Sequence, residues 1–204
     1  MRKIGFLAAA AATQLIAPAF AASTWHIDDH HTAANFTVKH MMISNVNGTI
    51  HGAKGSAEYD GKDLKTLKVD ATLDASTINT GEPARDKHLQ SPDFFDVAKY
   101  PTLTFKSTGV EHSHGKWELV GDLTMHGVTK PVKLDLDAPS TITDAKGLEH
   151  LGATAHTTVN RSDYGITWNK SLDQGGVVVG DPVTITLEVE MIKDKETASA
   201  AGTK

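Results

Sequence analysis

The stretch Val183-Thr184-Ile185-Thr186-Leu187-Glu188-Val189-Glu190-Met191 alternates apolar and polar residues without a break. Successive side chains of a strand point to opposite faces. A period of two therefore puts Val183, Ile185, Leu187, Val189 and Met191 on a buried face and the threonines and glutamates on a wet one. The pattern recurs. Leu67, Val69, Ala71, Leu73 and Ala75 alternate with Lys68, Asp70, Thr72 and Asp74, and Val132, Leu134 and Leu136 alternate with Lys133, Asp135 and Asp137. One wet and one dry face is the antiparallel signature, because parallel sheets covered on both sides read as continuous apolar runs. Further strand candidates lie at 24–30, 33–40, 48–59, 102–111, 116–126 and 148–159. Turn pairs such as Asp60-Gly61, His114-Gly115 and Lys146-Gly147 separate many of them. Eight or nine strands with short connections predict a sandwich or a closed barrel, all-β in class.

Two segments depart from the alternation. Between Glu82 and Asp96 there is no period of two; Arg85, His88 and Leu89 share a helical face, and Pro92 ends it. A short helix near 82–90 is expected there, followed by an irregular aromatic stretch. A second non-strand segment is expected at His40 to Asn47. At the N-terminus, Arg2 and Lys3 precede an apolar run from Ile4 to Phe20, and Ala19-Phe20-Ala21 has the small-x-small form of a cleavage site. That order predicts a secretory signal over 1–21, cut after Ala21, and a protein that works outside the cytoplasm. Residues 22–192 then form one domain, and 193–204, lacking an apolar pattern, are expected to be a disordered tail.

Composition excludes several function classes. With 25 acidic against 20 basic residues the net charge is −5, and no basic cluster offers a nucleic-acid surface. The absence of cysteine rules out disulfides, thiol chemistry, thiolate metal sites and a lipidated anchor. No Gly-rich phosphate loop, serine nucleophile elbow or His-Glu-x-x-His helix is present.

Among the eleven histidines, His30-His31 and the pair His112 and His114 could begin a metal site, but spacing supplies no third ligand. His112-Ser113-His114-Gly115 also reads as an exposed hairpin tip. His88 or His126 could serve as a general base in an enzyme acting on a hydrophobic molecule, although no orienting partner or nucleophile is evident. Arg85-Asp86-Lys87-His88-Leu89 and Arg161-Ser162-Asp163-Tyr164-Gly165-Ile166 stand outside the strand pattern. Their arginines could hold an anionic head group or tie irregular segments to the sheet through a carboxylate.

These motifs carry a resemblance. Trp25-x-Ile27-Asp28-x-x-His31, Phe36-x-Val38-x-His40 and Val46-x-Gly48 come first. Arg85-Asp86-x-His88-Leu89, Phe94-Phe95-Asp96 and Tyr100-Pro101-x-Leu103-x-Phe105-x-Ser107 follow. Gly121-Asp122-Leu123-Thr124-Met125-His126-Gly127-Val128-Thr129-Lys130-Pro131-Val132 and the Arg161 motif close the set. In this order and spacing, from Trp25 to about Met191, the sequence resembles the YceI-like proteins, a bacterial lipocalin-like, polyisoprenoid-binding family. It departs in having Thr32 where the family usually has Ser, and Met41-Met42 where one apolar residue is more usual.

The resemblance implies an extended eight-stranded antiparallel barrel around an apolar pore. It also implies a periplasmic, non-enzymatic carrier of a long isoprenoid, either a polyprenyl phosphate or a quinone, with no other cofactor and no resident metal. Phe36, Val38, Phe94, Phe95, Leu103, Phe105, Leu123, Tyr164, Ile166 and Trp168 are the expected pore lining. Arg85, His88 and Arg161 are the expected head-group residues. Small side chains at Ala71, Ala75, Ala153 and Ala155 would leave room for a chain if they face inwards. Transient contact with a membrane and a homodimer are compatible with this reading, as is the alternative of a periplasmic metal-binding or stress-response protein.

Overall fold

A computed structural model describes residues 22–195 apart from residue 174. The expected signal segment and all but the first residues of the expected tail lie outside it. The strands are β1 (Ser23–Ile27), β2 (Ala33–His40), β3 (Ser44–Ile50), β4 (Lys54–Tyr59), β5 (Lys68–Asp74), β6 (Thr102–Ser113), β7 (Lys116–Met125), β8 (Val128–Leu136), β9 (Ser140–Thr143), β10 (Glu149–Asn160) and β11 (Val179–Lys193), with one helix, α1 (Pro83–Leu89). All pairings among them are antiparallel.

β11 closes the sheet. Along one edge it pairs with β10. Along the other it pairs first with β2 (Val183 opposite Val38) and then with β1 (Met191 opposite Ile27). β1 and β2 thus occupy one strand position broken at 28–32, and β3 and β4 occupy the next, broken at 51–53. β8 and β9 likewise share one position against β10. Counted by position, eight long strands run up and down in chain order and the eighth returns to the first, a closed barrel. In the segment expected as non-strand at 40–47 only 41–43 turn; His40 ends β2 and 44–47 open β3. The 48–59 candidate is split by its break. β11 continues through Lys193, which pairs with Trp25.

The break in the first strand position is built from its motif residues. Asp28 N–H donates to the Glu190 carbonyl at 2.9 Å, and Asp28 Oδ2 meets His31 Nδ1 at 2.8 Å. Thr32 Oγ1 donates to the Glu190 carbonyl (3.2 Å) and accepts from the Glu190 N–H (3.1 Å). The hydroxyl takes up the Glu190 N–H that the broken backbone does not meet, and it joins Asp28 N–H as a second donor to the Glu190 carbonyl. Gly48 lies opposite Phe36, whose ring occupies the space a Cβ there would need. His126-Gly127 turns β7 into β8 with φ of 51° and 75°, the paired left-handed conformation of a type I′ hairpin.

Trp25, Tyr59, Leu64, Leu67 and Leu119 pack together and plug one end of the barrel, with Trp25 Nε1 donating to the Tyr59 carbonyl at 3.4 Å. The other end receives the two long connections, 75–101 and 161–178. In the first, α1 starts on Pro83, with the Glu82 side chain capping Ala84 N–H. The second is pinned by Arg161. Its Nε donates to the Gly180 carbonyl (2.9 Å), Nη1 to those of Ile166 (2.7 Å) and Trp168 (3.0 Å), and Nη2 to that of Val179 (3.4 Å). Arg161 thus joins irregular backbone to β11 through four carbonyls; of the two roles the sequence leaves open, the structural tie is made, but to carbonyls and not to a carboxylate.

Two outcomes follow from these contacts. The hydrogen bond to Asp28 raises the His31 pKa, and the same bond lowers that of Asp28. The histidine's contribution to stability is complete below its ordinary value of 6.5 and is lost as pH rises through its raised value. The aspartate's is complete above 3.8 and is lost as pH falls through its depressed value. Asp28→Asn should therefore lower Tm more at about pH 5 than at about pH 8, read by thermal melts of both proteins; an equal deficit at both pH values contradicts the pairing. Arg161→Met, which strips four carbonyls of charged donors, should cost at least about 3 kcal/mol in urea unfolding. A loss under about 1 kcal/mol would show that the guanidinium does not pin the segment.

Candidate functional site

The inner faces of all eight strand positions surround one cavity of about 250 Å³ that runs from Leu64 and Pro139 near the plugged end to Val38 and Val179 near the other. Its wall is almost wholly apolar, because the period of two sends every charged partner outwards. Leu67, Val69, Ala71 and Leu73 line it, as do Val132, Leu134 and Leu136, and Val183 through Met191 at alternate positions. Small residues widen it, with Ala33, Ala34, Ala53, Ala71, Ala153 and Ala155 all on the lumen. Ala75 is not: it is buried in a 3-10 turn after β5 and its N–H bonds to the Pro101 carbonyl.

Of the residues singled out in the sequence, Phe36, Val38, Phe94, Phe95, Leu103, Phe105, Leu123 and Ile166 line the cavity. Phe94 and Phe95 reach it from the 75–101 connection and Ile166 from the 161–178 connection, so these two segments form part of the wall at that end. Tyr164 and Trp168 take other places. Tyr164 is 1% exposed and packs with Phe94, Met125, Val159 and Ile166 outside the lumen. Its hydroxyl finds no partner among the described residues, and burial pushes its pKa up to about 12. Trp168 lies behind Phe94 at 5.3 Å between ring centres, where it seals the seam between the two connections. The signal that could have separated them is positional: both sit outside any strand, where alternation says nothing about facing.

The three polar candidates also separate. Arg161 is buried and forms part of the cavity wall. Burial lowers its pKa and the nearby Asp181 carboxylate opposes that shift. A guanidinium has five N–H groups, and four are committed to carbonyls. Arg85 is exposed and faces away from the lumen; its Nε donates to Thr80 Oγ1 at 2.7 Å and its Nη2 to the Thr80 carbonyl at 3.0 Å, clamping α1 to the loop before it. His88 lies outside the wall too. Its Nε2 meets Asp93 Oδ2 at 2.8 Å, and its ring stands edge-on to Phe94 and Trp168.

His88 thus has the orienting carboxylate that the sequence did not reveal, and His126 Nδ1 donates to the Tyr164 carbonyl at 3.0 Å. Among the described residues neither imidazole bonds to a hydroxyl that could act as nucleophile. Of the histidines read as possible metal ligands, His112 and His114 do not converge: His112 stacks on Trp117 at 4.2 Å, and His114 occupies the turn itself. The side chains whose ligand atoms come within 4.8 Å of one another are Asp28, His31 and Glu190, at the break between β1 and β2. Outside that group, His150 Nδ1 lies 2.8 Å from Glu190 Oε1.

Among the described residues no helix is long and apolar enough to cross a membrane.

Comparison with known proteins agrees with the barrel. A UPF0312 protein of Staphylococcus aureus is 35% identical over 164 residues, covering 80% of this chain and 94% of the relative. The Campylobacter jejuni YCEI protein superposes with a TM-score of 0.63 at 31% identity, over 78% of this chain and 90% of the other. Burkholderia cenocepacia BcnA matches with a TM-score of 0.65 at 18% identity, over 80% and 98% of the two chains. A polyisoprenoid binding domain from Saccharophagus degradans, implicated in plant cell wall breakdown, matches with a TM-score of 0.60 at 13% identity, over 83% and 98%. The last two are likenesses of fold. The model of the YceI-like domain matches residues 25–191, and the chain belongs to the YceI-like family.

Proposed function

We propose that the protein is a non-enzymatic carrier for a long isoprenoid lipid, held lengthwise in the barrel and moved through the aqueous space outside the cytoplasm. The observation that carries this reading is the cavity itself, continuous along the barrel and walled by apolar side chains from every strand position. An eight-stranded barrel has room for side chains or for one slender ligand, and here the row of alanines leaves the room. A branched hydrocarbon chain has no polarity to satisfy, which suits a wall that offers almost none. The polyisoprenoid-binding relative in Saccharophagus degradans supports the same ligand class.

The energetics are adequate. Each buried methylene contributes roughly 0.8 kcal/mol, so a five-carbon unit gives several kcal/mol gross. Ordering the chain and losing its freedom of movement take back a large share. A few units still reach the roughly 8 kcal/mol that micromolar affinity requires. Arg161 supplies the polar end. Among the described residues one of its N–H groups has no acceptor and no carboxylate forms an ion pair with it, which suits the guanidinium to receive a phosphate or a quinone carbonyl at the capped end of the lumen.

The protein purified from its native host should yield about one isoprenoid lipid per chain on solvent extraction and mass spectrometry. If nothing co-purifies, and neither polyprenyl phosphate nor ubiquinone binds when added, the carrier reading is wrong. Ala153→Phe, which fills the lumen from β10, should leave the fold intact and reduce the bound lipid by about ten-fold or more, since overpacking an otherwise open space costs little. Undiminished lipid in this variant would place the ligand elsewhere.

A further inference from the structure

The hairpin between β2 and β3 ends in Met41-Met42-Ile43, exposed by 41%, 54% and 81% respectively. Three large apolar side chains in a row at a tip are costly to hold in water. The backbone there is unfavourable as well. Met41 and Met42 have φ of 49° and 63°, and Ile43 N–H closes the turn onto the His40 carbonyl at 3.1 Å. Consecutive left-handed residues favour Asn-Gly, and the other such pairs among the described residues, His114-Gly115, His126-Gly127 and Gly175-Gly176, all place glycine second. At 41–42 the sequence accepts both strain and exposed apolar surface, a combination that points to function rather than to folding.

The surroundings identify what the tip meets. Residues 32–57 contain no Asp or Glu in a chain that has 25 of them, while Lys39 and His40 stand immediately before the tip. The facing segment is bound to it: Met41 N–H donates to the Val178 carbonyl at 2.8 Å, and the Met42 side chain lies beside Gly176. That segment adds Lys170, against the single carboxylate of Asp173. Directly behind the tip, Val38 and Val179 already belong to the cavity wall. Apolar points inside a basic collar, at one end of an apolar lumen, match the interface of an anionic bilayer. Flexible methionines suit a fluid partner. Three side chains fall far short of the roughly 800 Å² per partner of a stable protein interface, and a second copy would bring the same positive collar.

We propose that Met41, Met42 and Ile43 are a membrane-docking tip. They enter the interfacial layer of an anionic phospholipid bilayer, with Lys39 and Lys170 at the head groups, and so bring the adjoining end of the cavity to the lipid. This deepens the carrier reading and takes its purpose from it, but the docking chemistry is separate from the cargo.

The test is flotation of the purified protein, with its N-terminus verified by mass spectrometry, on isoprenoid-free vesicles of phosphatidylethanolamine and phosphatidylglycerol. The wild type should float with these vesicles, and less well at high salt or on pure phosphatidylcholine. Met42→Asp and Ile43→Asp should each reduce partitioning about ten-fold or more. The double variant Met41→Asn/Met42→Gly should raise Tm, because it relieves the turn, while losing vesicle binding. The inference is overturned if the wild type does not float, if the variants float equally, or if the double variant lowers Tm and so identifies the methionines as packing residues. A wild-type dimer that Met42→Asp renders monomeric, with no vesicle binding by either, would also overturn it. Because these vesicles hold no cargo, flotation by a protein that binds no isoprenoid overturns the carrier reading alone, and bound isoprenoid without flotation overturns the docking tip alone.

Discussion

A sheet can close on itself only if its last strand finds hydrogen-bond partners along both edges, and in this protein that demand falls on β11. Its 15 residues pair with β10 on one side, and on the other with a strand position that the chain delivers in two pieces. At the junction between the pieces the Glu190 C=O keeps one backbone donor, the Asp28 N–H, but the Glu190 N–H faces no backbone carbonyl. Thr32 fills that place with one hydroxyl that both donates and accepts. This explains a residue choice within the family pattern. Serine and threonine carry the same group, so the departure at position 32 leaves the closure intact. Asp28 and His31 hold the intervening loop in the shape that presents Thr32, which gives the Asp28-x-x-His31 spacing a structural meaning.

Closure without edges also decides where charge can go. Every strand position has one face on the lumen, so alternation empties the interior of charge and spreads lysines and carboxylates over the exterior. The exceptions come from connections between strands. Segments 75–101 and 161–178 fold over one end, and from them Leu89, Phe94, Phe95 and Ile166 complete the apolar wall. From the second of these connections also comes Arg161, the guanidinium in the wall, stabilised by the carbonyls of Ile166 and Trp168 in the irregular connection and of Val179 and Gly180 at the start of β11.

Much of this was legible in the sequence, for a physical reason. The alternation at 67–75, 132–136 and 183–191 reports facing directly, and all of those apolar residues except Ala75, which falls past the end of β5, reach the lumen. What alternation could not report was register. The break at 51–53 hid inside the run 48–59 because the side chains on either side of it still alternate. β9 escaped notice because Ser140–Thr143 is short and exposed and is held only by its pairing with β10. In the irregular connections facing depends on tertiary packing, so aromatic character alone selected Phe94 and Trp168 equally, though one lines the cavity and the other backs it. Arg85 and Arg161 illustrate the same limit. Both sit in Arg-containing motifs, but Arg85 ends on Thr80 at the surface while Arg161 reaches the lumen wall.

An open lumen has consequences for stability that the rest of the fold must absorb. A cavity of about 250 Å³ left unfilled forgoes on the order of 6 kcal/mol at roughly 24 cal/mol per Å³. That is comparable with the whole stability of an ordinary domain, about 5–15 kcal/mol. With no cysteine in the chain, no disulfide can offset it. The plug of Trp25, Tyr59, Leu64, Leu67 and Leu119 concentrates tight packing at one end, and the pinned connections stiffen the other, so the looser middle is held from both sides. A barrel organised this way is more stable filled than empty. Its apolar guest then contributes to the core, and guest release and barrel loosening are linked through the same buried surface.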